Sequence, residues 1–106
     1  MASNKLSMVG LAFRAGKTLI GTAACEKGLK HRKIDLLLLQ EGLSPSSRKG
    51  FLELCESQGV KVITIGSDDR LGDAIGRPGI MILGVTDKGF SNAIRNNYDG
   101  GSGLNE

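Results

Sequence analysis

The sequence predicts a single α/β domain in which one sheet lies between two layers of helices. Three observations lead there. Strand-like and helix-like segments alternate along the whole chain, and strands separated by helices of roughly 8–15 residues build a sheet covered on both sides. The run from Ile34 to Gln40 is apolar except for Asp35, which reads as a strand buried on both faces. The chain has 106 residues, enough for one compact domain and not two. A domain of this size buries roughly 60–70% of its unfolded surface and needs no staple.

The elements follow in order. Residues 4–15 place Leu6, Val9 and Phe13 at helical spacing, with Met8 and Ala12 alongside, and Gly16 ends that helix. Thr18-Leu19-Ile20 is a short strand, and Gly21-Thr22 opens a second helix over 22–32. After the strand at Ile34–Gln40, Ser44 caps a helix and Pro45 suits its first position. That helix turns Phe51, Leu52 and Cys55 inward and stops at Gly59. Val60–Ile65 is the next strand. Ser67-Asp68-Asp69 is expected to cap a short helix, with the acids in its first turn and Leu71, Ala74 and Ile75 as its core face, ending at Gly76. Ile80–Thr86 is the last strand. Asp87 caps a final helix with Phe90, Ala93 and Ile94 inward. The domain is expected to span 1–98, with 99–106 a flexible, glycine-rich tail. No repeat or internal linker interrupts it, and connections between parallel strands should be right-handed.

Composition excludes several classes. Cys25 and Cys55 fit no Cys-x-x-Cys pattern and His31 is the one histidine, so neither a zinc site nor a disulfide framework is expected. The longest apolar runs are far too short for a membrane span, and no secretory signal is visible. The reading is of a reduced, soluble, cytoplasmic protein without membrane contact, cofactor or metal. The formal net charge is +3, unevenly spread. Seven Lys/Arg and a single acid, Glu26, fall within residues 1–33, about +6, which leaves −3 for the remainder. A basic half on a small protein is the footprint of a polyanion partner. The aromatics are few (Phe13, Phe51, Phe90, Tyr98), so any nucleic acid must be held by backbone groups, small side chains and Lys/Arg rather than by base stacking.

Gly10 to Thr18 imitates a phosphate-binding P-loop but fails twice. Five residues rather than four precede the Gly16-Lys17 pair, and the segment follows a helix and opens a strand, the reverse of the order that aims helix N–H groups at phosphates. Cys25 and His31 lie six residues apart on one helix, about 240° around its axis, and cannot form a pair. Cys25 reads as a small buried hydrophobe. Paired carboxylates occur only as Asp68-Asp69. The chain does not read as an enzyme.

What remains is the start of the second helix. Lys17 precedes the short strand, Gly21-Thr22-Ala23-Ala24 supplies four small residues, and Lys27 and Lys30 follow on neighbouring ridges. Small residues at a helix start let a phosphate backbone approach free N–H groups and the positive end of the dipole. They equally suit close packing of helix on sheet.

These residues resemble a known family. Leu11-Ala12-Phe13-Arg14-Ala15-Gly16-Lys17, Gly21 opening a helix, Lys27 and Ile34-Asp35-Leu36-Leu37-Leu38-Leu39 look like the L7Ae and L30e group of ribosomal proteins. Arg70-Leu71-Gly72-Asp73-Ala74-Ile75-Gly76 resembles that group's Leu-Gly-x-Ala-x-Gly segment, and Val85–Phe90 its short bacterial members. The match runs from about Leu6 to Asn97 in register. The resemblance implies a three-layer α/β/α sandwich with a four-stranded mixed sheet. It implies binding of ribosomal or other structured RNA, typically a kink-turn, alone or with ribosome or ribonucleoprotein components. In that group the second helix's start reads sheared G·A pairs and the loop after the short helix, here Gly76-Arg77-Pro78-Gly79-Ile80, packs on bulged nucleotides. The implied contacts are therefore Lys17, Gly21, Thr22, Ala23, Ala24, Lys27, Lys30, Arg77, Pro78 and Gly79. This sequence departs from the pattern at Ala23-Ala24, where kink-turn binders carry Asn-Glu or Lys-Gln. Alanine offers no donor or acceptor, so Thr22 and Gln40 are the nearby polar residues able to replace the lost readers. The rival expectation is a protein-interaction module that kept the fold and lost specific kink-turn binding.

Overall fold

The computed structural model describes residues 5–103, the side chains as far as Tyr98. Among them, helices and strands alternate as α1 (Ser7–Arg14), β1 (Thr18–Ile20), α2 (Thr22–Lys30), β2 (Leu36–Gln40), α3 (Pro45–Gln58), β3 (Lys61–Ile65), α4 (Leu71–Ala74), β4 (Ile82–Val85) and α5 (Lys88–Gly103). The strands form one sheet in the order β1-β4-β2-β3. β2 and β3 are parallel, and β4 runs antiparallel to both β1 and β2. This is the four-stranded mixed sheet of an α/β/α sandwich.

Two cores lie on the two faces. Leu36 and Leu38 of β2 point to one, with Val9 and Ala12 of α1, Leu71 of α4 and Ile94 of α5. Leu37 and Leu39 point to the other, with Cys25 and Leu29 of α2 and Phe51 and Cys55 of α3. The alternation follows from the period of two along a strand. All five residues of β2 are buried, because it runs centrally between covered faces.

Local chemistry accounts for most boundaries. Ser44 accepts a hydrogen bond from the Ser47 amide (3.4 Å), with Pro45 at the first helical position. Asp87 Oδ2 accepts from Phe90 N–H (2.9 Å) and starts α5. Helix ends close with paired backbone bonds onto a residue at positive φ: Gly16 after α1, Gly59 after α3, Gly76 after α4. The end of α2 uses Arg32 at φ 57° in the same role, where a glycine would be expected.

Two local expectations are corrected. Leu52 does not face inward: it is 36% exposed, because the buried stripe of α3 runs through Phe51, Leu54 and Cys55, at i, i+3 and i+4, and Leu52 falls a quarter-turn away. Ser67-Asp68-Asp69 is not the cap of α4. These residues form a turn, closed by Asp69 N–H donating to Gly66 O (3.0 Å), and the helix starts at Leu71 with Arg70 before it. The carbonyl-to-amide tie across that turn leaves the acids outside the helix. The last helix, α5, extends to Gly103. Residues 104–106 of the expected tail lie outside the described residues.

Candidate nucleic-acid interface

The N-terminus of α2 stands at the end of the sheet where β1 finishes and β4 begins. Gly21 adopts φ 91°, a conformation that favours glycine, and its N–H donates to Ile82 O of β4 (3.0 Å). The helical ladder begins with Cys25 N–H to Gly21 O (3.1 Å), so the amides of Thr22, Ala23 and Ala24 precede it. No side chain caps them. Thr22 and Ala23 are exposed and Ala24 is half-buried. A Cβ on Gly21 would meet no protein atom within 4 Å, so the space in front of the helix start is open.

The close packing of α2 on the sheet is done elsewhere. A Cβ on Gly28 would stand 2.5 Å from Leu19 Cδ1 and 3.0 Å from Ile34 Cδ1, and one on Gly84 2.5 Å from Ile34 Cδ1. Ile34 thus fills a socket between two glycines, and Cys25 Sγ donates to Leu19 O (3.4 Å) below it. The small residues at 21–23 are therefore not explained by packing.

The loop after α4 reaches the same end of the sheet. Arg77 N–H donates to Gly72 O (2.8 Å) and Ile80 N–H to Arg77 O (3.3 Å). With Pro78 second and Gly79 third at φ 94°, Arg77–Ile80 has the residue pattern of a type II turn. The chain then enters β4 at Ile82, the residue bonded to Gly21. Arg77 is exposed, with its guanidinium 5.5 Å from the centroid of the Phe13 ring of α1. That contact limits its rotamers and holds its charge over α1.

The structure thus ties Gly21 to Ile82, the first residue of the strand entered after the Arg77–Ile80 turn, while the Arg77 side chain lies over Phe13 of α1, and it spreads the other named residues. Lys27 is exposed on α2, about one and a half turns in. Lys30 Nζ lies 3.4 Å from Glu26 Oε2, so part of its charge is already met. Lys17 sits at the opposite end of β1 from Gly21, its carbonyl accepting from Thr86 N–H (2.9 Å), about 13 Å away along the strand.

A cleft of about 360 Å³ opens beside the turn, lined by Gln40, Glu41, Arg70, Asp73, Gly79 and Ile80 among others. The sequence reading named Gln40, Pro78 and Gly79 of this wall as site residues and missed Glu41, Ser67, Arg70 and Asp73. Its residues come from the end of β2, the segment leading into α4 and the turn after it, and no local spacing relates them. Gln40 is not free to read a ligand. Its side chain is buried and bonded on both ends, through Nε2 to Asp69 O (2.9 Å) and Ile65 O (3.2 Å) and through Oε1 from Leu71 N–H (2.7 Å).

The P-loop look-alike is a helix end: Gly16 N–H donates to Phe13 O and Lys17 N–H to Ala12 O, so its amides point back into α1. Burial pushes the Cys25 thiol up to about 12 and the Cys55 thiol up to about 11, far from a reactive thiolate. His31 is exposed while Cys25 is buried. No group of three metal-ligating side chains occurs among the described residues, and no helix there is long and apolar enough to cross a membrane.

Known proteins are similar to this chain. The chain is 31% identical over 87 residues to the RNA-binding protein YlxQ of Bacillus subtilis, covering 82% of this chain and 87% of that one. It is 22% identical to YlxQ of Enterococcus faecium, over 90% of this chain and 91% of the relative. A protein of unknown function from Bacillus halodurans superposes with TM-score 0.86 at 31% identity, covering 92% of this chain and 99% of that one. The 15.5 kD RNA-binding protein of Giardia lamblia shares the fold, with TM-score 0.76 at 18% identity, over 98% and 92% of the two chains. The model of the ribosomal protein L7Ae/L30e/S12e/Gadd45 family matches residues 4–95, nearly the whole domain. The chain belongs to that family, as a non-catalytic member of it.

Proposed function

We propose that this protein binds structured RNA, ribosomal or kink-turn-like, through the N-terminus of α2 and the Arg77–Ile80 turn. The observation that carries the reading is the helix start itself: exposed small residues, uncapped amides and open space at Gly21, hydrogen-bonded to the strand that follows the turn. A phosphate group approaching there meets N–H donors and the positive dipole end. Lys27 and Arg77 neutralise phosphates on either side, with Lys17 and Lys30 further out. The family and the RNA-binding names of relatives support the same reading. The cleft beside the turn, with the Glu41 and Asp73 carboxylates as acceptors, suits the amino edge of an unstacked base rather than a phosphate. With Ala23 and Ala24 unable to read bases, recognition at the start of α2 is of RNA shape. The protein acts in the cytoplasm, associated with the ribosome or another ribonucleoprotein.

The absence of polar side chains at Ala23 and Ala24 favours a second reading, a protein-interaction module on the same fold. Salt separates the two. RNA affinity should fall by roughly 0.7–0.9 log units per log unit of salt for each phosphate neutralised, whereas an apolar protein contact barely responds. Crosslinking in cells followed by sequencing of the recovered RNA identifies the ligand, and recovery of no RNA above background would count against the first reading.

A further inference from the structure

We propose that Gln40 is the positioning residue for the Arg77–Ile80 turn, the element that sets the turn's distance from the start of α2. This rests on the RNA-binding reading above and adds a residue to it. Gln40 closes β2 in the middle of the sheet and is 8% exposed. A glutamine amide has two donor hydrogens and one acceptor oxygen. Here Nε2 faces three carbonyls, Asp69 at 2.9 Å, Ile65 at 3.2 Å and Gly66 at 3.4 Å, while Oε1 accepts from Leu71 N–H at 2.7 Å. The reverse orientation of the amide would set its oxygen against three oxygens, so the side chain has one arrangement. It therefore ties together the end of β3, the turn that follows and the first amide of α4.

The backbone of the same residue holds the far end of the segment: Gln40 N–H donates to Met81 O (2.8 Å), just after the turn. Between these anchors α4 and the turn form one tight unit. Arg77 N–H bonds Gly72 O (2.8 Å), and a Cβ on Gly72 would collide with the Arg77 carbonyl and stand 3.1 Å from the amides of Gly79 and Ile80. A displacement of Leu71 is carried to Arg77 through its neighbour Gly72, whose carbonyl accepts from Arg77 N–H and whose Cα packs on the turn's backbone. Two further ties brace the loop from outside, Tyr98 Oη accepting from Gly66 N–H (2.9 Å) and Glu41 Oε1 from Ser67 N–H (2.9 Å). Neither reaches α4. Anchoring of this kind lowers the ordering cost of binding rather than adding a contact.

The test is a double-mutant cycle with a kink-turn RNA at low salt, where weak binding is measurable. In the otherwise unchanged protein, Arg77→Ala and Lys27→Ala should each weaken binding about tenfold. In a Gln40→Met background, Arg77→Ala should matter less than about threefold while Lys27→Ala keeps its full effect, because α2 is held by other contacts. Amide hydrogen exchange gives an RNA-independent readout: Leu71 and Arg77 should exchange at least about tenfold faster in Gln40→Met, with Ile63 of β3 unchanged. Should Gln40→Met not fold, Gln40→Ser, which lets water from the adjoining cleft reach the freed carbonyls and the Leu71 amide, takes its place. Undiminished Arg77→Ala effect, equal loss at Arg77 and Lys27, or unchanged Leu71 exchange would each overturn the proposal. If the unaltered protein binds no RNA, the functional reading and the RNA half of this proposal both fall, and the exchange data still decide the anchoring.

Discussion

Replacing Ala23 by Asn and Ala24 by Glu restores polar readers where kink-turn binders are expected to carry them. Both positions lie in the first turn of α2, Ala23 exposed and Ala24 half-buried. The fold should tolerate the pair. Asn for Ala in a helix costs about 0.5 kcal/mol in propensity, and a Glu in the first turn returns about 0.3–1 kcal/mol through the dipole. The docking of α2 rests on Gly28, Cys25 and Leu29, which the change leaves alone. Each well-made base contact is worth about 1–3 kcal/mol. Two contacts, reduced by desolvation of the new side chains, should strengthen kink-turn binding by at least about tenfold, or about 1.4 kcal/mol. Fluorescence anisotropy at fixed salt measures this, against a control RNA whose G·A pairs are replaced by Watson–Crick pairs. The unaltered protein should bind the kink-turn weakly, and the double variant should bind it more tightly and separate it further from the control. Tight binding of the unaltered protein to the kink-turn alone would refute the claim that Ala23-Ala24 removes base reading. Equal weak binding after the change would leave the kink-turn assignment resting on fold likeness.

Lys27→Glu should weaken RNA binding at least about tenfold at moderate salt, and Lys30→Glu distinctly less, because Lys30 already shares its charge with Glu26 at 3.4 Å; titrations of the two variants side by side check the ranking. Cys25 and Cys55 should resist alkylation in the native protein at neutral pH and react fully in denaturant, since burial pushes them up to about 12 and about 11. Their folded values lie above the ordinary 9.0, so the stability linked to them is fully present below about pH 9 and is lost as pH rises through 11 and 12; an earlier acid-side loss traced to Cys25→Ser or Cys55→Ser comparisons would contradict this. Arg32→Gly should raise stability by about 0.5–1 kcal/mol, read as a higher melting temperature, because Arg32 holds φ 57° at the end of α2 where glycine is unstrained.

Much of this protein was legible in the amino-acid order. The alternation of segments, the doubly buried Leu36–Leu39 run, the caps at Ser44 and Asp87 and the glycine stops at 16, 59 and 76 all depend on a few neighbouring residues. Backbone sterics and side-chain periodicity act over that range, so the sequence carries them directly. The start of α2 as a candidate site was legible for the same reason: small residues and lysines share one short stretch. Tertiary structure alone decided the rest. β4 slots between β1 and β2 through pairings of residues far apart in the chain, and this sets the Arg77–Ile80 turn against Gly21 through the Ile82 carbonyl. Gln40 looked like the polar end of a strand, yet its amide is the anchor of a loop some thirty residues on, because burial leaves a polar group no partner but the carbonyls and amides brought to it. Leu52, read as core, faces solvent, since the roll of α3 about its axis is fixed by Phe51 and Cys55 meeting the sheet rather than by hydrophobicity alone. Lys17, close to Gly21 in sequence, is carried to the far end of β1 by an extended strand that advances about 3.3 Å per residue.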